Sequence, residues 1–299
     1  MKRGHWQILL AAVLFLLALG LTLYPVVSNW YIGRHQSRIQ TEYREVLEQT
    51  DSAEIESIRE SAVAYNKTIT PGAAEKAYSQ ESIRLAAEDY VNQVDVSGSG
   101  IMGYVEIPKI GVDLPIYHGT GADSLDRGTG HLLGSSLPVG GESTHTIITG
   151  HSGMASQKMF TDLEQLREGD IFYLHVLDET LTYEVREIHT VLPHDTTYLG
   201  IEPGEDLCTL VTCTPTGVNT HRLLVHGSRI PYVPTEETEA SAVPHEENTD
   251  SNWEKQYWLG VRLGLAAMVF LTLVAGAVLY IRRNRGRAVH RKGGRYVRK

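Results

Sequence analysis

A cysteine at the end of one apolar run and an arginine at the start of the next are the residues in this sequence best placed for covalent chemistry. Leu207 to Cys213 is rich in β-branched and aliphatic residues, as is Leu223 to Val225, with Pro215, Gly217 and Asn219 between them. Apolar runs flanking such turn residues predict a hairpin with a loop of several residues. Side chains alternate faces along a strand, so Thr209, Val211 and Cys213 share one face and Cys208, Leu210 and Thr212 the other. On the return strand Arg222 and Leu224 lie opposite His221, Leu223 and Val225, which lets Cys213 and Arg222 share one face near the loop. A thiol and a guanidinium meeting there form a site suited to acyl transfer.

A thiol of ordinary pKa, ~8.5, is mostly protonated at neutral pH, so a nucleophilic cysteine needs a cation or base beside it. Of the 13 histidines, His151 stands out. Thr146, Ile147, Ile148 and Thr149 form a short β-branched strand ending in Gly150-His151-Ser152-Gly153, and glycines on both sides of a histidine present its ring in a tight loop. Spacing alone leaves open whether His151 meets Cys213. The second cysteine, Cys208, is five positions from Cys213 and would lie about 16 Å away along one strand, beyond the ~7 Å Cα limit for a disulfide. Cys208 reads as a buried thiol packed like a small hydrophobe.

These residues stand in segments that resemble the sortases, cysteine transpeptidases of Gram-positive cell surfaces. The carriers are TLVTC at 209–213, Arg222 nine residues after the cysteine, and TGH at 149–151. GYVEIPKIGVDLPIYHGT (103–120) and GTGHLLGSSLPVGGESTHTIITGH (128–151) are similar to the class C, pilin-polymerising branch, and the resemblance runs over about 103–231. It implies that Cys213 attacks the Thr-Gly bond of a Leu-Pro-X-Thr-Gly sorting signal to form a thioacyl intermediate. It further implies His151 as acid and base, Arg222 on the substrate carbonyl or oxyanion, and a lysine amine of the next pilin as acceptor. Imidazole titrates near neutrality, and a planar cation with directed donors suits developing negative charge. One feature departs from class C: the Asp-Pro-Phe or Asp-Pro-Trp lid tripeptide is absent. The corresponding stretch reads Pro71-Gly72-Ala73-Ala74-Glu75-Lys76-Ala77-Tyr78. Tyr78 is the candidate plug, with simple packing at a helix start as the alternative, and the lid is expected to be loose or absent.

The rest of the chain positions this core. Residues 8–27 are uncharged and long enough to cross a bilayer; they read as an anchor, with a cleaved signal peptide as the alternative. Residues 258–281 form a second span, with Arg262 able to snorkel and Trp253, Tyr257 and Trp258 resembling an interfacial belt. The final 18 residues carry nine cations and no acid, so the tail (282–299) and the Lys2-Arg3 end (1–7) are expected in the cytoplasm and the intervening chain outside. That chain holds all 36 acids and 15 cations, a formal charge near −21, which argues against nucleic acid as partner; the basic tail sets topology and touches membrane lipid.

Outside the membrane, residues 28–100 read as a helical region. Three-and-four spacing over 34–64 predicts one amphipathic helix, and Ser79 is expected to cap a second carrying Ile83, Ala86, Ala87, Tyr90 and Val94. Residues 101–231 show short strands broken by glycine and proline, which suits an antiparallel barrel. Residues 232–257 form an acidic linker expected to be disordered. The resulting fold class is mainly β: an eight-stranded barrel of the sortase type, the strand number implied by the resemblance, with an N-terminal helical preface and two flanking transmembrane helices. No HExxH, CxxC or P-loop occurs, so no cofactor or metal is expected. The alternative functions are a sortase that attaches surface proteins to peptidoglycan and a non-enzymatic membrane scaffold that keeps the barrel.

Overall fold

Eight strands close into one barrel in the order β1-β2-β3-β4-β7-β8-β6-β5. They are β1 (Ile101–Ile107), β2 (Val112–His118), β3 (Thr129–His131), β4 (Thr144–Thr149), β5 (Ile171–Val176), β6 (Glu179–Val191), β7 (Asp206–Thr214) and β8 (His221–Ile230). This computed structural model describes residues 2–70, 72–79, 87–154, 157–232 and 252–293. Two compact units are present, one of Met1–Trp30 with Glu254–Lys299 and one of Tyr31–Trp253.

The barrel is mixed rather than antiparallel throughout. β2 pairs with β3, and β4 with β7, in parallel. Parallel pairing needs a crossover connection. The segment after β2 supplies one through the short helix α5 (Ala122–Leu125), and the whole β5–β6 hairpin lies between β4 and β7.

Inside the barrel, Met102, Val105, Ile116, Ile148, Phe172, Leu174, Leu210 and Val225 belong to one buried cluster. A second cluster takes Ile147, Val211 and Leu224 from the other face of β4, β7 and β8, joined by Val191 of β6 and by Leu132, Leu199 and Ala74 from outside the strands. β4, β7 and β8 are therefore covered on both faces, which is why they read as continuous apolar runs instead of alternating ones.

The helical preface differs in detail from the sequence reading. The helix predicted over 34–64 is split: α1 (Lys2–Gln49) ends, and α2 (Ser52–Asn66) begins anew. Asp51 has extended backbone and its carboxylate accepts a 2.7 Å hydrogen bond from Ala53 N, an N-cap that competes with helix continuation. Ser79 is the last residue of α3 (Ala73–Ser79), and among the described residues the second predicted helix is represented by α4 (Ala87–Val91). Residues 80–86, with Ile83 and Ala86, lie outside the described residues.

Both ends of the preface grip the barrel. Tyr43 near the end of α1 donates to Met102 O (3.2 Å) and accepts from Leu177 N (3.0 Å), and Ile55 and Ala62 of α2 join the main core. Asn66 closes α2 onto Leu137 through bonds to its carbonyl and amide of 3.2 and 2.7 Å.

The C-terminal helix α6 (Asn252–Gly293) contains a stretch, Trp258–Val278, of 21 residues with mean hydropathy 2.1, long and apolar enough to cross a membrane. Within α1 the described residues give a shorter apolar stretch, Phe15–Tyr24. Of the linker predicted over 232–257, residues 233–251 lie outside the described residues, and 252–257 are not disordered but form the start of α6.

Leu224→Ala tests the two-sided burial of the barrel wall. Truncating an outward residue of a one-sided sheet is nearly neutral, whereas here it should cost about 2–5 kcal/mol, comparable to Leu210→Ala. Urea midpoints of the two variants, followed by circular dichroism, give the comparison.

Candidate active site

Main-chain pairing fixes the geometry of the predicted residues. In the β7–β8 register Cys213 is directly opposite Arg222. Such pairs have Cβ atoms about 4.5–5.5 Å apart on one face. β4 runs parallel to β7 with Thr149 beside Val211, so the chain leaves β4 at the end of the barrel where Cys213 stands, and His151 is the second residue past that pair. The three predicted residues come to one rim of the barrel. Cys213, Arg222 and His151 are each half-buried, open to solvent.

The loop that carries His151 is clamped by backbone bonds. Gly150 N donates to Val211 O (3.0 Å) and Phe160 N to His151 O (3.0 Å), while the hydroxyl of Thr212, beside the cysteine, donates to Gly150 O (2.8 Å). A Cβ on Gly150 would come within 2.7 Å of the Phe160 ring, so this position requires glycine for close packing. Ser152 and Thr216 hydroxyls, 3.2 Å apart, link the histidine loop to the loop after Cys213. Sequence reading missed Thr212 and Phe160. Thr212 sits inside the TLVTC stretch, but its hydroxyl partner lies 62 residues away and only the parallel pairing reveals it.

One further neighbour was missed. Asp126, just after α5, places a carboxylate oxygen 3.7 Å from His151 Nε2. Arg222 donates from Nη1 to the carbonyls of Asn219 (3.3 Å) and His221 (3.1 Å), which steadies its guanidinium over the hairpin loop.

The second cluster forms the floor below the rim, and Ala74 of α3, 6% exposed, belongs to it together with Val211 and Leu224. The first turn of α3 thus docks on the face that carries Cys213 and Arg222. Tyr78 is in the same helix, and its side chain lies outside the described residues.

Further down that floor, two histidines are engaged elsewhere. His145 bonds Gly200 O through Nδ1 (2.7 Å) and Thr209 Oγ1 through Nε2 (2.6 Å), and Thr209 Oγ1 meets His226 Nδ1 at 2.7 Å. With the ring of His145 neutral, its Nδ1 donates to the carbonyl, its Nε2 accepts from Thr209, and Thr209 accepts from His226. Burial keeps both rings neutral, lowering His145 and pulling His226 down to about 4, with His145 nearby adding to the latter. Burial likewise lowers His131, bonded to Tyr90, to about 4. Cys208 is fully buried and its thiol is pushed well up by burial, so it stays protonated and inert.

A sortase domain model matches residues 105–230. Sortase A of Streptococcus agalactiae is 27% identical over 221 residues, 73% of this chain and 82% of that protein. Among solved structures, sortase C of Streptococcus pneumoniae is 45% identical with a TM-score of 0.59, covering 66% of this chain and 100% of that one. Sortase C1 of Streptococcus agalactiae is 43% identical with a TM-score of 0.60, covering 66% and 100%.

The buried histidines predict the acid response of the fold. His131 and His226 titrate near 4 in the native chain and near ~6.5 unfolded, so between those values the unfolded chain binds protons that the native one refuses. Stability is then full above about pH 6.5 and falls as pH drops toward 4, by about 3 kcal/mol per histidine. Asp113, raised to about 6 chiefly by burial and next by Glu106, acts in the opposite sense between about 4 and 6 and offsets part of the loss. Urea midpoints should decline from pH 7 to 4.5, and more shallowly in His131→Gln.

Proposed function

This chain belongs to the sortase family, in its class C branch, and on that premise we propose that it is a pilin-polymerising transpeptidase with Cys213, His151 and Arg222 as its catalytic residues. Cys213 Sγ attacks the threonine carbonyl of a Leu-Pro-X-Thr-Gly signal. The Thr-Gly C–N bond breaks, His151 gives its proton to the leaving glycine amine, and the acyl group stays on sulfur as a thioester. A lysine amine of the next subunit then attacks that carbon, His151 takes the amine proton, and the thiolate leaves. The product is an isopeptide bond. Arg222 donates to the oxyanion formed in both halves.

The observation that carries this chemistry is the pairing of Cys213 with Arg222 at the rim where the His151 loop emerges from β4. Pilin polymerisation, rather than attachment to peptidoglycan, is supported by identity above 40% to sortase C proteins over their full solved lengths. Pilin substrate specificity is reported for the S. pneumoniae sortase C, and a group B Streptococcus relative is a pilus-related sortase C.

The surroundings fit work at a membrane surface. α6 supplies one span and residues 8–27 a second, both chain ends lie in the cytoplasm, and the catalytic barrel faces outward, with the basic tail against anionic lipid. The stretch 72–78, packed through Ala74, serves as a loose lid at most, with no aspartate to fix it. The acidic linker runs between the barrel and α6, which begins at Asn252.

Incubation with a pilin that carries or lacks its acceptor lysine tests the reading. A ladder of covalent multimers, seen only with the lysine present, is expected; release of cleaved signal without a ladder would point to attachment of surface proteins to peptidoglycan instead. Arg222→Lys keeps the charge and loses the planar fork, so ladder formation should drop by about tenfold or more without vanishing. Wild-type turnover by that variant would remove Arg222 from the mechanism.

A further inference from the structure

We propose that Asp126 is a positioning residue that holds the His151 imidazolium and so raises the fraction of Cys213 present as thiolate. The inference rests on the assignment of Cys213 and His151 above.

The Asp126 carboxylate stands 3.7 Å from His151 Nε2, too far for a hydrogen bond but close enough for charge to act on charge. Its main chain is fixed from two sides. The Asp126 amide donates to Ala122 O at the end of α5, and Asp126 O accepts from Gln157 Nε2 at 2.9 Å. Gln157 is only 7% exposed, and it lies in the segment between the His151 loop and Phe160, whose amide bonds His151 O. A buried side chain from the histidine's own connection thus anchors the main chain of the residue whose carboxylate faces the histidine.

Arg222 also stands at this rim, and its guanidinium is bonded to carbonyls of its own loop. When the proton leaves Cys213 Sγ for the imidazole, a thiolate and an imidazolium form, and Asp126 is the anion facing the new cation. The same contact favours His151 as it takes the proton of the incoming lysine amine. Its strength is limited by water, because 65% of the Asp126 side chain is exposed. An exposed pair of this kind changes an equilibrium by about two- to fivefold and is screened by salt.

The test is the rate at which neutral iodoacetamide alkylates Cys213 in the full-length chain in detergent, with Cys213→Ala as blank; Cys208, fully buried, does not compete. Asp126→Asn should react about two- to fivefold more slowly than wild type at low salt. Near 1 M salt, where the Debye length falls to about 3 Å, the two should converge. Asp126→Glu should recover most of the rate. Equal rates for Asp126→Asn and wild type at low salt, or a deficit that salt leaves unchanged, would overturn the proposal, the latter marking a merely structural role. Because alkylation needs no sorting signal, absence of transpeptidation in wild type would defeat the functional reading and leave this measurement standing.

Discussion

The parallel pairing of β4 with β7 is the constraint on which the site depends. It lays Thr149 beside Val211, so both chains run out of the sheet at the same end, one into His151 and the other into Cys213. The antiparallel return of β8 then sets Arg222 across from the cysteine. Three residues spread over 72 positions of sequence are brought to one rim by main-chain hydrogen bonds, whose register cannot slip by one residue without turning every side chain to the other face. Burial on both faces of β4, β7 and β8 makes such a slip costly twice over.

The same rim separates reactive groups from inert ones by exposure alone. Cys208 and Cys213 are one chemical group at two places in a single strand, and alternation sends the first into the dry interior and leaves the second at the open end. The histidines divide likewise: His131, His145 and His226 are buried and spent on structural hydrogen bonds, whereas His151 stands in a glycine-flanked loop that the backbone clamps and the solvent reaches. The clamp comes from residues next to the chemistry, Thr212 beside Cys213 and Phe160 closing on Gly150.

Much of this was legible in the residues. The hairpin, its loop and the shared face of Cys213 and Arg222 follow from period-two alternation, which the β7–β8 register obeys. The three-residue β3 was invisible because so short a strand carries no period, and the parallel pairs were hidden because pairing direction is set by crossovers rather than by composition. The break at Asp51 was in the sequence as an Asp-Ser cap signal, overridden by an apolar spacing that runs on through it. Asp126 lay beyond reach, since its partner is 25 residues away and the contact comes from two loops.

The central claim is that Cys213, at this rim, carries the cleaved signal as a thioester. Intact-mass and peptide-mapping spectrometry of the full chain, quenched in acid shortly after mixing with a Leu-Pro-X-Thr-Gly peptide, tests it most directly. The account predicts an added mass equal to the peptide's acyl half, removed by hydroxylamine and located on Cys213. Acyl mass on Cys208 or on another residue, or signal cleavage that persists in Cys213→Ala, would contradict it.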